Sequence, residues 1–124
     1  MTVLLVAIAG GLGSVARYLV GLAGARWAGD RLPAGTLAVN LLGCLLIGVA
    51  VVVLEARQVD PRARIAVVGG FLGGFTTFSA FAFETLSLAE RRGAGWAALY
   101  VAVSVAGGLA ACALGVALAR RLTG

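Results

Sequence analysis

The sequence predicts an all-α integral membrane protein built from four transmembrane helices. Its 124 residues are 61% hydrophobic and 12% charged, whereas a soluble domain carries about 25% charged residues. A small soluble domain buries only about two-thirds of the surface that its chain exposes, so this much apolar sequence requires lipid as its solvent. Four apolar runs, each near the roughly 20 residues that a spanning helix needs, occupy almost the whole chain. Short connections between them favour a single domain, residues 1–124, with up-down-up-down packing.

The first two runs predict helices at about residues 3–25 and 36–54. Only Arg17 and Tyr18 interrupt the first run. Arg17 is read either as a side chain that snorkels to the membrane surface or as a functional charge within the membrane. The loop between the runs contains these polar or helix-breaking residues: Arg26, Asp30, Arg31 and Pro33.

Asn40 is the only amide within the second run. An amide in hydrocarbon costs free energy unless it is paired. One interpretation is a hydrogen bond between helices, which is common in membrane proteins. The other is that its NH₂ group donates to an anion in a pore. The residues alone favour neither.

The third run, at about residues 65–88, contains the most unusual segment of the chain. Glycines are followed in mid-span by hydroxyl residues, in the order Gly69, Gly70, Gly73, Gly74, Thr76, Thr77 and Ser79. The glycine spacing is typical of close helix packing. Packing does not explain the hydroxyls, whereas a broken helix does, because its freed backbone groups need new partners. We therefore expect a break near residues 73–76, which frees carbonyls that line a cavity or an ion site.

Two phenylalanines follow at helical spacing. Phe78 and Phe81 share a face that continues to Glu84, one turn further on. One interpretation is that they are core or lipid-facing aromatics. The other uses the electropositive edge of the ring, which can face an anion without the deep trap that a full positive charge creates.

The fourth run predicts a helix at about residues 94–119. Four of its residues recur at every fourth position and so form one stripe: Tyr100, Ser104, Gly108 and Cys112. The stripe is either a small-residue packing surface or one wall of a polar track. Cys112 and Cys44, both inside apolar runs, are read as small buried hydrophobes and not as a disulfide or a metal site.

The ten arginines give the chain a net charge of +5. They lie mostly in loops and at the ends of the runs, where lipid headgroups can bind them, so we do not expect a nucleic-acid partner. One side of the membrane would hold Arg57, Arg62, Arg64, Arg120 and Arg121. The other would hold Arg26, Arg31, Arg91 and Arg92, with Arg17 as a fifth if it lies near that end. This near balance gives the insertion machinery little basis for choosing an orientation. One hypothesis is a dual-topology protein that pairs with its inverted copy, and the other is that a single orientation prevails through subtler effects.

We do not expect an enzyme. The chain contains no histidine, which leaves no plausible pair of nucleophile and base. The glycine run is followed by Thr-Thr-Phe and not by the Gly-Lys-Ser/Thr of a phosphate-binding loop.

Three segments resemble the motifs of one family, the CrcB/Fluc fluoride channels. They are residues 10–18 (GGLGSVARY), 35–43 (GTLAVNLLG) and 73–81 (GGFTTFSAF), the last followed by Glu84. They occur in the family's order, and the resemblance covers nearly the whole chain.

The resemblance implies an antiparallel homodimer in the bacterial plasma (inner) membrane, with two pores that export toxic fluoride passively. The pore residues that it implies are Asn40, Thr77, Phe78, Ser79, Phe81, Tyr100 and Ser104. It also implies a structural sodium ion (Na⁺) at the dimer centre, bound by the backbone carbonyls of Gly73 and Thr76. Arg17 and Glu84 are expected at the vestibule. Ala80 and Gly108 depart from the family's pattern, and each departure removes a hydroxyl from the implied path.

Two rival functions stay open from the residues alone. A small multidrug-resistance-type exporter would couple transport to protons through an acid embedded in its first helix, where this chain has Arg17 and no Asp or Glu. A non-transporting assembly subunit would use its polar residues only to hold helices together.

Overall fold

The protein is a bundle of four long apolar helices, one of them interrupted in its middle. The structure is a computed structural model that describes residues 1–29 and 32–124. The spans are Thr2–Ala28, Ala34–Ala56, Pro61–Arg92 and Ala94–Thr123, and each is long and apolar enough to cross a membrane. These are called the first helix, the second helix, the third span and the fourth helix. The predicted all-helical class, with a broken third helix, is confirmed, and the protein is a multi-pass membrane protein.

Most of the helices extend beyond the predicted apolar segments, and a side-chain cap fixes the start of the third span. At the start of the third span, the Asp60 carboxylate accepts hydrogen bonds from the Arg62 and Ala63 amides, at 2.8 and 3.4 Å. Pro61 occupies the first helical position, where its missing N–H costs nothing. The span ends before Gly93, whose φ of 94° suits a residue without a Cβ. Asp30 and Arg31 of the predicted first loop lie outside the described residues.

Glycines bring the helix backbones into direct contact. A Cβ added at Gly13 would overlap the Phe71 carbonyl, and one at Gly74 would overlap the Gly10 carbonyl. These contacts join the first helix to the third span. The second and fourth helices meet in the same way, since a Cβ at Gly48 would collide with the Cys112 carbonyl. The small-residue spacing thus acts as close helix packing, as expected in a membrane.

The interruption of the third span lies at two threonines. An α-helical turn over Pro61–Ile65 leads into a π-helical segment, Ala66–Leu72, and then a short turn, Gly73–Phe75. Thr76 and Thr77 are extended, with ψ angles of 157° and 118°, and the helix resumes at Phe78. The break was expected near residues 73–76, and it begins within that range at Thr76, while Gly73 and Gly74 are helical. The extended residues are Thr76 and Thr77, where the freed N–H groups of Thr77 and Ala80 find acceptors in Asn40 Oδ1 and Thr77 Oγ1.

Candidate functional site

The break opens onto a cavity of about 360 Å³ on one side of the bundle. It is lined by residues from the second helix, both halves of the third span and the fourth helix. Seven of the residues singled out from the sequence line it: Asn40, Gly73, Thr76, Thr77, Phe78, Phe81 and Ser104. The structure therefore brings together most of the predicted pore and sodium-site residues.

Asn40 holds the backbone of the break with both ends of its amide. Its Nδ2 donates to the Thr77 carbonyl at 3.0 Å, and its Oδ1 accepts from the Thr77 N–H at 2.9 Å. Both backbone groups of one extended residue are thereby paired, which removes the cost of exposing them in a membrane. An amide NH₂ carries two hydrogens, so one remains for another acceptor. Asn40 can therefore form a hydrogen bond between helices and still donate to an anion, so the two interpretations are compatible.

The break frees two further carbonyls. In a continuous helix the Thr77 N–H would bond to the Gly73 carbonyl, but it bonds to Asn40 instead. Likewise the Ala80 N–H, whose helical acceptor would be the Thr76 carbonyl, bonds to Thr77 Oγ1 at 3.2 Å. Gly73 and Thr76 therefore each retain a carbonyl without its helical partner.

Thr76 is fixed by contacts on both branches of its side chain. Its hydroxyl donates to the Leu72 carbonyl at 3.0 Å. Its methyl group fills the space where Gly43 of the second helix lacks a Cβ. Any larger residue at position 43 would displace this methyl group.

The two phenylalanines form an aromatic row with Tyr100. The ring centroids of Phe78 and Phe81 are 5.5 Å apart, and those of Phe81 and Tyr100 are 5.3 Å apart. Both pairs are tilted, by 49° and 47°. Phe78 is 79% exposed in the single chain, whereas Tyr100 is 6% exposed. The row therefore runs from an open surface into the bundle.

Glu84 lies at the inner end of this row. Its carboxylate accepts from the Tyr100 hydroxyl at 2.9 Å and from the Thr36 hydroxyl at 2.7 Å. It also lines a second cavity, of about 240 Å³, together with Thr36 and Arg91. Two donors from two other helices thus hold this carboxylate between the aromatic row and the second cavity.

The other predicted hydroxyls differ in their surroundings. Ser104 Oγ is buried and has no hydrogen-bond partner among the described residues. Ser79 is exposed, and its Oγ lies 3.2 Å from Thr77 Oγ1. Of these hydroxyls, Ser104 is the one left unpaired inside the cavity wall.

Arg17 lies beside the break and not at a helix end. Its Nε donates to the Gly74 carbonyl at 3.1 Å, and Ser14 Oγ donates to the same oxygen at 3.4 Å. A guanidinium in this position compensates a third carbonyl of the interrupted span. Of the two interpretations, this contact favours a charge within the membrane. The vestibule assignments of Arg17 and Glu84 stay predictions.

Sequence reasoning missed three residues that the structure places at or beside the site. Thr36 and Ser14 are hydroxyl residues within helices, and their partners lie on other helices. The spacing of residues within one helix does not predict such contacts. Cys44 lines the main cavity, although it was read as a small buried hydrophobe. Its position one turn after Asn40 is the signal that would have found it.

Comparisons with known proteins agree with the motifs. The family model described as "CrcB-like protein, Camphor Resistance (CrcB)" matches residues 4–116. The chain is similar to three proteins named fluoride-specific ion channel FluC. That of Solibacter usitatus is 50% identical over 98% of this chain and 100% of its own length. That of Rhizobium etli is 47% identical over 96% of each chain, and that of Acidobacterium capsulatum is 44% identical over 98% of each.

These relatives are named as ion channels and not as enzymes. The matched regions cover 96–98% of this chain and so reach all four spans. From the family match and these near full-length relatives, the chain belongs to the CrcB-like family, as its sequence motifs predicted.

Proposed function

We propose that this protein is a fluoride-selective channel through which fluoride leaves the cell passively, so that the cell is protected from fluoride toxicity. The observation that carries the proposal is the cavity at the helix break, where the amide of Asn40 and the unpaired hydroxyl of Ser104 meet Phe78 and Phe81. Relatives 44–50% identical to this chain are named fluoride-specific ion channels, which supports the same activity.

The chemistry of the cavity suits a small, strongly hydrated anion. A selective path must replace the water around fluoride with hydrogen-bond donors, and Asn40 and Ser104 each have a hydrogen to offer. The electropositive ring edges of phenylalanines can bridge the gaps between donors. None of the described residues that line this cavity is an arginine. Neutral donors bind an anion weakly enough for it to leave, as conduction requires.

The proposed channel is a dimer of two inverted copies in the plasma membrane. On one chain the cavity is a groove with an open side, and Phe78 at that side is 79% exposed. A second copy would cover it and complete the wall. The near balance of arginines between the two sides supports insertion in both orientations.

We also propose that a sodium ion joins the two copies. The carbonyls of Gly73 and Thr76 lack their helical partners, and two copies would supply four such oxygens. Neutral oxygen ligands suit a hard monovalent cation, and sodium is abundant. The ion would hold the chains in register and would not be transported.

The decisive experiment measures ion flux from liposomes that contain the purified protein. Fluoride efflux should be passive and should continue without a proton gradient, while chloride is retained. Equal chloride efflux would contradict selectivity, and proton-coupled uptake of organic cations would favour the multidrug exporter. No flux of any of these ions would leave the assembly subunit as the better description.

The sodium proposal has its own test. Exchange of sodium for N-methylglucamine should lower the melting temperature of the detergent-solubilised dimer, and added sodium should restore it with a saturable dose dependence. Equal melting temperatures in the two cations would contradict a structural sodium ion, whatever the flux assay gives.

A further inference from the structure

We propose that the thiol of Cys44 forms part of the anion path, where it takes the place of the hydroxyl that Gly108 does not supply. The inference rests on the proposed function, because it extends the same cavity by one more donor. In this chain the path would pass from the fourth helix at Ser104 to the second helix at Cys44.

The geometry places the thiol in the space of the missing side chain. Cys44 lies one turn after Asn40 and lines the same cavity as Asn40 and Ser104. Gly108 lies one turn after Ser104 and is buried. A Cβ built at Gly108 would stand 3.3 Å from Cys44 Sγ, closer than most such contacts. A side chain at position 108 and the thiol would therefore compete for one volume.

A second observation, shared with the proposed function, indicates a ligand at this wall. Ser104 Oγ is buried without a hydrogen-bond partner in the described part of the chain. A buried hydroxyl left unpaired is costly, so an acceptor that passes through the cavity would satisfy it. The Cys44 thiol lines the same cavity and is also able to donate. A thiol is a weak donor, which suits a site that an anion must leave again.

Thiol labelling tests whether Cys44 faces the path. Methyl methanethiosulfonate attaches a methylthio group to a thiolate and releases methanesulfinate. Because the thiolate is the reacting form, a thiol in a hydrated cavity reacts far faster than one enclosed in apolar packing. Cys112 is the matched control, since its thiol is outside the cavity lining and its carbonyl packs on Gly48.

In the Cys112→Ser variant the reagent should modify Cys44 and block fluoride efflux, and fluoride should slow the modification. In the Cys44→Ser variant the reagent should leave efflux unaffected. Mass spectrometry identifies the modified residue. Modification of Cys112 in preference to Cys44, or modification of Cys44 with unchanged efflux, would overturn the inference.

A swap of side chains between the helices tests the role of the donor. Cys44→Ala should slow efflux about three- to tenfold, the size expected for one weak hydrogen bond, and Cys44→Ser should conduct faster than Cys44→Ala. The double variant Cys44→Ala with Gly108→Ser should recover efflux, because a hydroxyl then enters the vacated volume. Wild-type efflux in Cys44→Ala would refute the inference while leaving the channel proposal intact. A wild-type protein without fluoride efflux would refute both.

Discussion

Single residues at the break have two functions at once. Asn40 pairs both backbone groups of Thr77 and still has one hydrogen to donate. Thr76 bonds through its hydroxyl and packs through its methyl group against Gly43. A substitution at either position therefore changes the backbone and the cavity wall together. An experiment on such residues must measure assembly as well as flux.

Asn40→Asp is expected to reduce fluoride efflux severely. The variant loses the donor to the Thr77 carbonyl and places a carboxylate where an anion would pass. Repulsion between two unit charges 4 Å apart is about 4 kcal/mol at an effective dielectric constant of 20. Each 1.4 kcal/mol corresponds to a factor of ten, so efflux from liposomes should fall at least about tenfold. Size-exclusion chromatography should still show the wild-type assembly, and near wild-type efflux would mean that Asn40 only packs.

Phe78→Ile and Phe81→Ile should each reduce efflux strongly while the protein still assembles. Isoleucine retains apolar bulk but has no electropositive edge. The ring of Phe83, which is 73% exposed, provides the control because it is absent from the lining of either cavity described above. Phe83→Ile should conduct like the wild type. If all three variants conduct equally well, the phenylalanines do not contact the ion.

At the scale of elements, glycine contacts determine how the third span sits on its neighbours. The sequence predicted four helices, a break in the third and close packing through glycines, because each follows from composition and from spacing within one segment. It expected the break near residues 73–76, which includes Thr76, but it did not extend the break to Thr77, because the extended backbone of Thr77 is held by Asn40 of another helix. The pairing of Asn40 with Thr77 was equally out of reach, because it requires the alignment of two separate helices.

Gly74→Ala should destabilise the protein. The added methyl group would overlap the Gly10 carbonyl, and overpacking of this kind costs about 1–3 kcal/mol. Gly69→Ala in the same span is the matched control, since its Cβ would meet only Ile65 Cγ2 at 3.9 Å. The melting temperature in detergent should fall for Gly74→Ala and stay near the wild-type value for Gly69→Ala. Equal melting temperatures would show that the first helix can move away without cost.

At the scale of the whole molecule, the outer surface is unusually apolar for a single chain. Residues such as Phe78, Phe83 and Leu109 are at least 70% exposed. Lipid covers such side chains in a membrane protein, but lipid cannot complete the wall of a hydrophilic path. The proposed path beside Phe78 would therefore need protein on the open side of the groove, which is the physical basis of the dimer proposal.

Dual topology predicts that C-termini are found on both sides of the membrane. A single cysteine added after Gly124, in a background without Cys44 and Cys112, should be labelled by an impermeant reagent in about half of the molecules in intact cells. Extra arginines at the C-terminus should shift this fraction, because charge bias sets orientation. Labelling of all molecules, or of none, would contradict the inverted pairing.

The π-helical segment at Ala66–Leu72 has a consequence for insertions and deletions. A π-helix accommodates more residues per turn than an α-helix, and such segments are often found at functional sites. Loss of one residue between positions 66 and 72 could be absorbed if the segment tightened into an ordinary α-helix, which would leave Gly74 opposite Gly10. The same deletion after Phe78 would rotate Phe81 and Glu84 away from Tyr100. Deletion of one residue should therefore be tolerated before the break and should disrupt the site after it.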